Sequence, residues 1–552
     1  MRAFATLVDK LYFTSGNLAK AALIKDYLKT TPDPDRGWAI AAIAGTLNFD
    51  FFKRKLIKDL ISERVDPVLF DLSYDYVGEM SETVAHLWHS LPDDPKPLQQ
   101  LPSLSEVVAK FAQGNKAQNR NYLIQLLNSM QATQRWALLK LGTRGLRIGV
   151  SARFLKKILA EYGQQHSQEV SIEKIERLWH GLAPPYTELL SWLEGKSAIP
   201  DVSEKVVFQP VMLSHPLDEK SLPDIVPQDY IAEWKFDGIR VQLVISEHGK
   251  AIFSRTGDDI SHSFPDIMQN LDHQNISGVF DGELIVIQPK EQQNQITGVL
   301  AKETHHIGSF NQLQQRLNKK KPSNKLIQQY PAGLILYDCL SLHKKDLRQL
   351  VLTKRKQFLK SWFDNQPYDF IHFSEELEFA SIEQLTSLRE QATTLEQGYI
   401  EGLMLKAKDS QYVAGRPKGA WYKWKREPRL IDAVIMYAQR GHGKRSSFYS
   451  DYTFGCWQQD KLLPIGKAYS GFTDDELKQL DRWVRNNTIG RFGPVKEVNK
   501  ALVFEVAFDS VHESNRHKSG LALRFPRIHR IRWDKPAEEA DSLETLKSML
   551  SQ

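Results

Sequence analysis

A lysine followed at once by Phe236, Asp237 and Gly238, in the run EWKFDGIR, is the strongest chemical signal in the chain. The run reads as a strand entering a turn, which holds the Lys235 amine at a strand end. An amine is a nucleophile only after losing its proton, and neighbouring cations or a metal lower its pKa from about 10.4. On its own the motif is weak, since lysine-x-aspartate-glycine recurs by chance in roughly one chain in ten of this length. Its setting makes it specific. FSRTGDD with Arg255, FDGELIV with Glu283, LILYDCL with Tyr337, EGLMLK with Glu401, WYKWKRE with Lys423 and Lys425, and finally RFPRIHRIRWDK follow in that order up to Lys535. Lys423 and Lys425 are two residues apart, so on a strand they face the same side and can address one anion together. Singly, each of these residues is most often solvated or part of a core. The ordered set reverses those odds.

Such residues need strands to align them, and the chain supplies strands only in its later part. From Met1 to about Ser203 the runs LAKAALIKDYLKTT, SEVVAKFAQ, NYLIQLLNSMQATQRWALLKLG and RFLKKILAEYG repeat apolar residues at three and four spacing, which predicts an all-helical domain over residues 1–203. EGKSAIPDVSEK, beginning at Glu194, breaks that pattern with Gly, Pro and Ser and reads as a linker. Beyond Phe208 the pattern turns to short β-rich runs: Val241, Leu243 and Ile245 alternate before a His248-Gly249 turn, and Ile252 and Phe253 follow it. With helical stretches such as NQLQQRLNKK and EQLTSLREQATTL between strands, residues 204–428 read as a mixed α/β domain with antiparallel sheets. IDAVIMYAQ, DYTFGCWQ, LPIGKAYS and LVFEVAFDSV predict five or so short strands over residues 429–552, in a small β-barrel. The tail EEADSLETLKSML predicts an amphipathic helix that packs on the chain itself.

Composition narrows the class. The 552 residues are 41% hydrophobic, enough for ordinary cores in several domains. Lys and Arg number 73 against 67 Asp and Glu, and the resulting +6 mildly favours a polyanionic partner. Cys339 and Cys456 are too few for a four-cysteine zinc site and predict buried free thiols. The N-terminal run lacks an uninterrupted apolar stretch of signal-peptide type, and no run approaches eighteen apolar residues, so an intracellular protein without a membrane span is expected.

The ordered series resembles the covalent nucleotidyltransferase superfamily of DNA ligases, RNA ligases and messenger-RNA capping enzymes. Within it the chain is similar to the ATP-dependent DNA ligases, because LLKLGTRGLRIGVS, from Leu138 to Ser151, resembles the signature of their helical DNA-binding domain and FQPVML fits ahead of the first motif. The resemblance covers about Leu138 to Lys535; the first hundred residues match only in being helical. It implies a helical DNA-binding domain, an adenylation domain and an OB-fold barrel. It also implies ATP as co-substrate, Mg2+ with Mn2+ as a substitute, nicked duplex DNA as partner and a monomer, acting in replication, repair or recombination.

Matching each motif position assigns the roles. Lys235 attacks the α-phosphate and carries AMP; Glu233 accepts from the adenine amino group; Tyr337 stacks on adenine where the family usually has phenylalanine. Arg240 and Arg255 hold ribose or phosphate oxygens. Glu283 and Glu401 serve ribose and Mg2+. Lys423 and Lys425 meet the α-phosphate and depress the Lys235 pKa, with Arg416 a further nucleotide contact. Arg530, Asp534 and Lys535 approach the outer phosphates, and Arg144 and Arg147 touch the DNA backbone. The rivals are an RNA ligase or capping enzyme, opposed by the helical domain and LRIGVS; an NAD-dependent ligase, opposed by the cysteine count; and a catalytically dead nick-binding protein, opposed by retention of Lys235, Glu283, Glu401, Lys423 and Lys425.

Overall fold

The computed structural model describes residues 1–552 except 48–50, 78, 144, 167, 218–220, 272–276, 290–299, 301–304, 318, 320, 393–394, 442–446, 515–517 and 551–552. Its contacts form two units: Met1–Ile175, Leu182–Pro200 and Pro428–Ser551 in the first, Glu176–Gly181 with Asp201–Glu427 in the second.

The first unit opens with helices from Arg2–Phe13 to Thr187–Leu193. The helix Leu104–Gln113 shows why: a capping box of Ser103 and Glu106 satisfies its first turn, and Leu104, Val107, Val108 and Phe111 bury one face. The long apolar run ending in KLG is two helices, Lys116–Ser129 and Ala132–Gly142, parted at Met130 and Gln131, whose backbones are extended. Glu194, placed by sequence in a linker, is instead anchored. Its side chain is 7% exposed and pairs with Arg36, and that guanidinium, opposed by burial, pulls the carboxyl down to about 2. The linker begins after it.

The LRIGVS signature is a loop between the helices Ala132–Gly142 and Ala152–Gln165. Ile148 is buried, and its carbonyl accepts a 2.6 Å hydrogen bond from Lys20 Nζ. Gly149 takes φ +67°, which favours glycine, and Arg147 is left exposed. Arg144 lies outside the described residues.

In the C-terminal region the strands are β12 (Arg429–Arg440), β13 (Tyr449–Gln458), β14 (Lys461–Ala468), β15 (Thr488–Phe492), β16 (Val495–Val498), β17 (Val503–Phe508), β18 (Ser510–Glu513), β19 (Leu521–Arg524) and β20 (Arg527–Arg532). The long β12 is central: its first half pairs with β17, its second with β16, and its far edge with β13, all antiparallel. Ile431, Phe454, Phe504, Val506 and Ile528 line the core. Nine strands among the described residues exceed the expected five or so, because runs such as β15, TIGRF, are exposed nearly throughout and carry no apolar alternation. The tail helix Leu543–Ser548 packs through Leu543 and Leu546, as its pattern indicates.

The second unit is built on two sheets. One has the order β1-β11-β10-β2, from His215–Pro216, Trp421–Lys425, Ile400–Ala407 and Tyr230–Phe236. The other runs β4-β3-β5-β7-β8, from Gly249–Ser254, Ile239–Ser246, Gly278–Pro289, Ala332–Leu342 and Lys345–Asp346, with β6 (His305–Ile307) on β5 and β9 (Ile371–Phe373) on β7. One face of the larger sheet buries Val241, Leu243, Phe280, Leu284 and Leu336 against Leu359 and Trp362 of the helix Leu352–Asp364. The outer face of the smaller sheet buries Leu403, Leu405 and Trp424 with Leu385 of the helix Ile382–Gln391. The remaining faces carry the polar residues between two further apolar clusters, one with Val244, Phe253 and Leu340 and one with Phe236, Ile285 and Ile335. Cys339 and Cys456 are buried free thiols, and no described helix is long and apolar enough to cross a membrane.

Candidate active site

Lys235 stands where β2 ends, and the chain then passes from the smaller sheet to the larger through Asp237 and Gly238 alone. A Cβ on Gly238 would stand 2.4 Å from the Leu284 carbonyl oxygen and 2.7 Å from Cγ of Glu283. Only glycine lets the crossover lie this close to β5.

Cross-strand register then assembles the site. Gly402 of β10 lies opposite both Lys235 and Lys425, and Met404 lies opposite both Glu233 and Lys423. Lys406 lies opposite Ile231 and Trp421. Paired residues share a face, so Glu233, Lys235, Met404, Lys406, Trp421, Lys423 and Lys425 form one inner surface. Gly402 keeps it level: its φ is +136°, and a Cβ there would meet the Trp424 carbonyl oxygen at 2.2 Å. On the larger sheet Arg240 pairs in register with Glu283. The two surfaces meet where Lys406 Nζ lies 4.2 Å from the Tyr337 ring centre and the Arg240 guanidinium lies 5.8 Å from that of Trp421.

Ion pairs knit the slot together. Lys235 pairs with Glu401, which is also 3.4 Å from Lys425. Glu233, 1% exposed, accepts from Lys356 at 2.5 Å and Lys406 at 2.7 Å. Burial opposes its charge, but the two ammonium groups outweigh it and hold its pKa below the usual range. Arg240 donates both arms of its fork to Asp281, at 3.0 and 2.6 Å, and Tyr412 donates to the same carboxylate at 2.6 Å. Behind them Arg355 and Asp338 form a fully buried pair.

The charges fall into a cationic and an anionic half. Burial, then Lys235, Lys425, Arg416 and Arg255, push the Lys423 pKa down, so both exposed arginines are within electrostatic reach of it. Burial drives the Glu283 carboxyl up to about 8, with Lys235 and Arg240 opposing and Glu401 and Asp237 adding. For Lys235 burial works to lower the pKa, yet Glu401, Glu283 and Asp237 outweigh it and hold it above the usual lysine value. This reverses the expectation from the motif lysines: Lys423 is coupled to Lys235, but the Glu401 carboxylate touches the amine and, with Glu283 and Asp237, outweighs the cations. No cluster of three or more possible metal ligands occurs among the described residues. Glu283 and Glu401 offer oxygen donors of the hard kind that Mg2+ takes together with phosphate and water.

The structure thus brings together Glu233, Lys235, Arg240, Glu283, Tyr337, Glu401, Lys423 and Lys425, with Arg255 and Arg416 at the rim. Arg530 and Lys535 belong to the first unit. Arg530 is 60% exposed and lies 3.5 Å from Glu505; Lys535 pairs with Asp432 at 2.7 Å, and Asp534 pairs with Arg532. Sequence reasoning missed Asp281, Lys356, Lys406, Tyr412 and Trp421. For Lys406 a signal was present, a charged residue at an inward position of an apolar strand; for Lys356 there was none.

Comparisons with known proteins identify the family. Three family models match in order: "DNA ligase N terminus" over residues 1–160, "ATP dependent DNA ligase domain" over 211–425 and "ATP dependent DNA ligase C terminal region" over 445–535. The first extends the likeness through the helices that sequence matched only in being helical. A probable DNA ligase of Koribacter versatilis is 30% identical across 99% of this chain and 95% of that protein. DNA ligase 1 of Korarchaeum cryptofilum is 25% identical across 100% and 98%. Among solved structures, one described as Pmar-Lig_Pre shares the fold with a TM-score of 0.58 at 16% identity, over 96% of this chain and 99% of that one. With its motif residues gathered in one slot and relatives aligned end to end, the chain belongs to the ATP-dependent DNA ligases.

Proposed function

We propose that Lys235 is the residue that carries AMP, and that the chain uses it to seal nicks in duplex DNA. The observation that carries this reading is that the surface of Glu233, Lys235, Lys423 and Lys425 on one sheet meets the sheet of Arg240, Glu283 and Tyr337, through Lys406 on Tyr337 and Arg240 on Trp421. In the first step the deprotonated Lys235 amine attacks the α-phosphorus of ATP, a P–N bond forms, and the bond to the departing diphosphate breaks. Lys423 and Lys425, with Arg416 and Arg255 nearby, meet the charge on the phosphate oxygens. Tyr337 stacks on the base, and Glu233 takes its amino group once Lys406 gives way. Trp421 Nε1, buried without a hydrogen-bond partner among the described residues, leaves a donor for a polar ligand between the sheets. In the second step a 5′-phosphate oxygen of the nick attacks the same phosphorus, and the P–N bond returns its electrons to Lys235. In the third the 3′-hydroxyl attacks the 5′-phosphorus and AMP leaves. Mg2+, or Mn2+ in its place, held by Glu283 and Glu401, would neutralise phosphate charge.

The division into a DNA-binding domain (1–203), an adenylation domain (204–428) and an OB-fold domain (429–552) is part of this reading. Arg147, exposed on its braced loop, contacts backbone phosphate, which positions a nick without reading sequence. Arg530 and Lys535 act on the outer phosphates of ATP. A monomer acting inside the cell on replication, repair or recombination breaks fits these parts. The test is incubation with ATP labelled at its α-phosphate, followed by nicked duplex with DNA or RNA at the break. A labelled protein band that moves to the DNA and then to free AMP is expected; absence of any covalent band from the intact chain defeats the reading.

A further inference from the structure

We propose that Arg389 is a positioning residue that aims Lys425, and with it the cationic half of the slot. The inference rests on the reading of Lys425 as a phosphate contact. On a strand, carbonyls two residues apart point to the same side. The Lys423 carbonyl accepts from Leu217 N at 2.9 Å, where β1 lies alongside β11. The Lys425 carbonyl, on the same edge, accepts from Arg389 Nε at 2.7 Å instead. The guanidinium therefore supplies the rung of the ladder at the position of the second motif lysine.

It also braces the strand from behind. Arg389 lies 4.8 Å from the ring centre of Trp424, which points away from the slot between the two lysines. That ring sits in the same apolar cluster as Leu385 and Leu388 of the helix that carries Arg389. A third contact is an ion pair with Glu427, whose side chain is 75% exposed. Arg389 itself is only 14% exposed. The edge and back of the Lys425 position, and Glu427 two residues on, are thus held by one planar side chain, and Lys425 in turn shares Glu401 with Lys235. Lysine in place of Arg389 keeps the charge but lacks the fork and the flat face that let all three contacts coexist.

The experiment measures single-turnover formation of the labelled lysyl adduct in the full chain, with ATP affinity measured separately. R389A should slow adduct formation about tenfold or more while ATP binding changes by less than about threefold, because misplacing a reacting group by about 1 Å has effects of this size. R389K should remain slow, and E427A, which removes only the exposed ion pair, should stay within about twofold of wild type. The deciding comparison is R389A/K425A against K425A: if Arg389 acts through Lys425, the second substitution adds almost nothing. An undiminished penalty in the K425A background overturns the inference, as does R389A at the wild-type rate. A K425A chain that forms the adduct normally removes the Lys425 reading and the inference with it.

Discussion

The buried cluster around Glu233 allows a prediction from charge arithmetic. One carboxylate, 1% exposed, is shared by Lys356 at 3% and Lys406 at 1%, so the cluster carries one net positive charge. Glu233→Gln leaves Lys356 without a carboxylate together with Lys406, whose pKa burial already lowers, whereas Lys356→Met leaves a neutral Glu233–Lys406 pair. Stranding buried charge costs about 3–5 kcal/mol. Losing one charged hydrogen bond, with the Ser374 carbonyl also relinquished by Lys356, costs about 1–3 kcal/mol. In a unit of roughly 230 residues each kcal/mol moves the midpoint about 2–4 °C, so Glu233→Gln should lower it by about 6–20 °C and Lys356→Met by less. Calorimetry of the full chain reads this on the transition that ATP raises in the wild type, since a chain of several domains does not melt in one step. The sign with pH is also fixed. The folded Glu233 pKa lies below its unfolded value of about 4.3, so its stabilisation is present above that value and is lost as pH falls through the folded pKa. The gap between wild type and Glu233→Gln should therefore narrow below about pH 4. A Lys356→Met chain that melts at or below the Glu233→Gln midpoint refutes the charge arithmetic.

Lys235→Ala should abolish both the covalent adduct and joining from ATP; a full-strength labelled band from that variant would assign the nucleophile elsewhere. A chain lacking residues 1–175, which keeps the Glu176–Gly181 segment that packs in the second unit, should still form the adduct but bind a nick more weakly and with a shallower salt dependence. Unchanged gel-shift affinity would give the helices another task. Lys535→Ala and Arg530→Ala should slow adduct formation yet largely spare sealing of a nick already bearing AMP on its 5′-phosphate. Equal losses on both substrates in single-turnover assays would place that segment in DNA binding or folding.

The chemistry of the site was legible because it is written in short runs: KFDG, EGLMLK and WYKWK each place their functional residues within a strand's reach, and period two gives their common face. What brings the runs together is not local. Glu233 meets Lys356 across 123 positions and Lys406 across 173, and Tyr412 meets Asp281 across 131; no periodicity encodes such pairings. The hairpin at His248-Gly249 and the helix Ile382–Gln391 were readable from alternation and from three-four spacing. The short strands β15, β16, β18 and β19 were not, since four or five residues with mixed exposure give no pattern. Charge direction at Lys235 differs from the expectation for a related reason: sequence names Glu401 and the motif lysines alike, but not that Glu401, 166 positions on, is the one that touches the amine.

That contact between Lys235 and Glu401 has a chemical consequence for the resting protein. An ammonium has no lone pair, so the ion pair with Glu401, which favours the protonated form, works against attack by this amine on any electrophile. On the proposed role of Lys235, drawing Glu401 toward another cation would free the amine for attack.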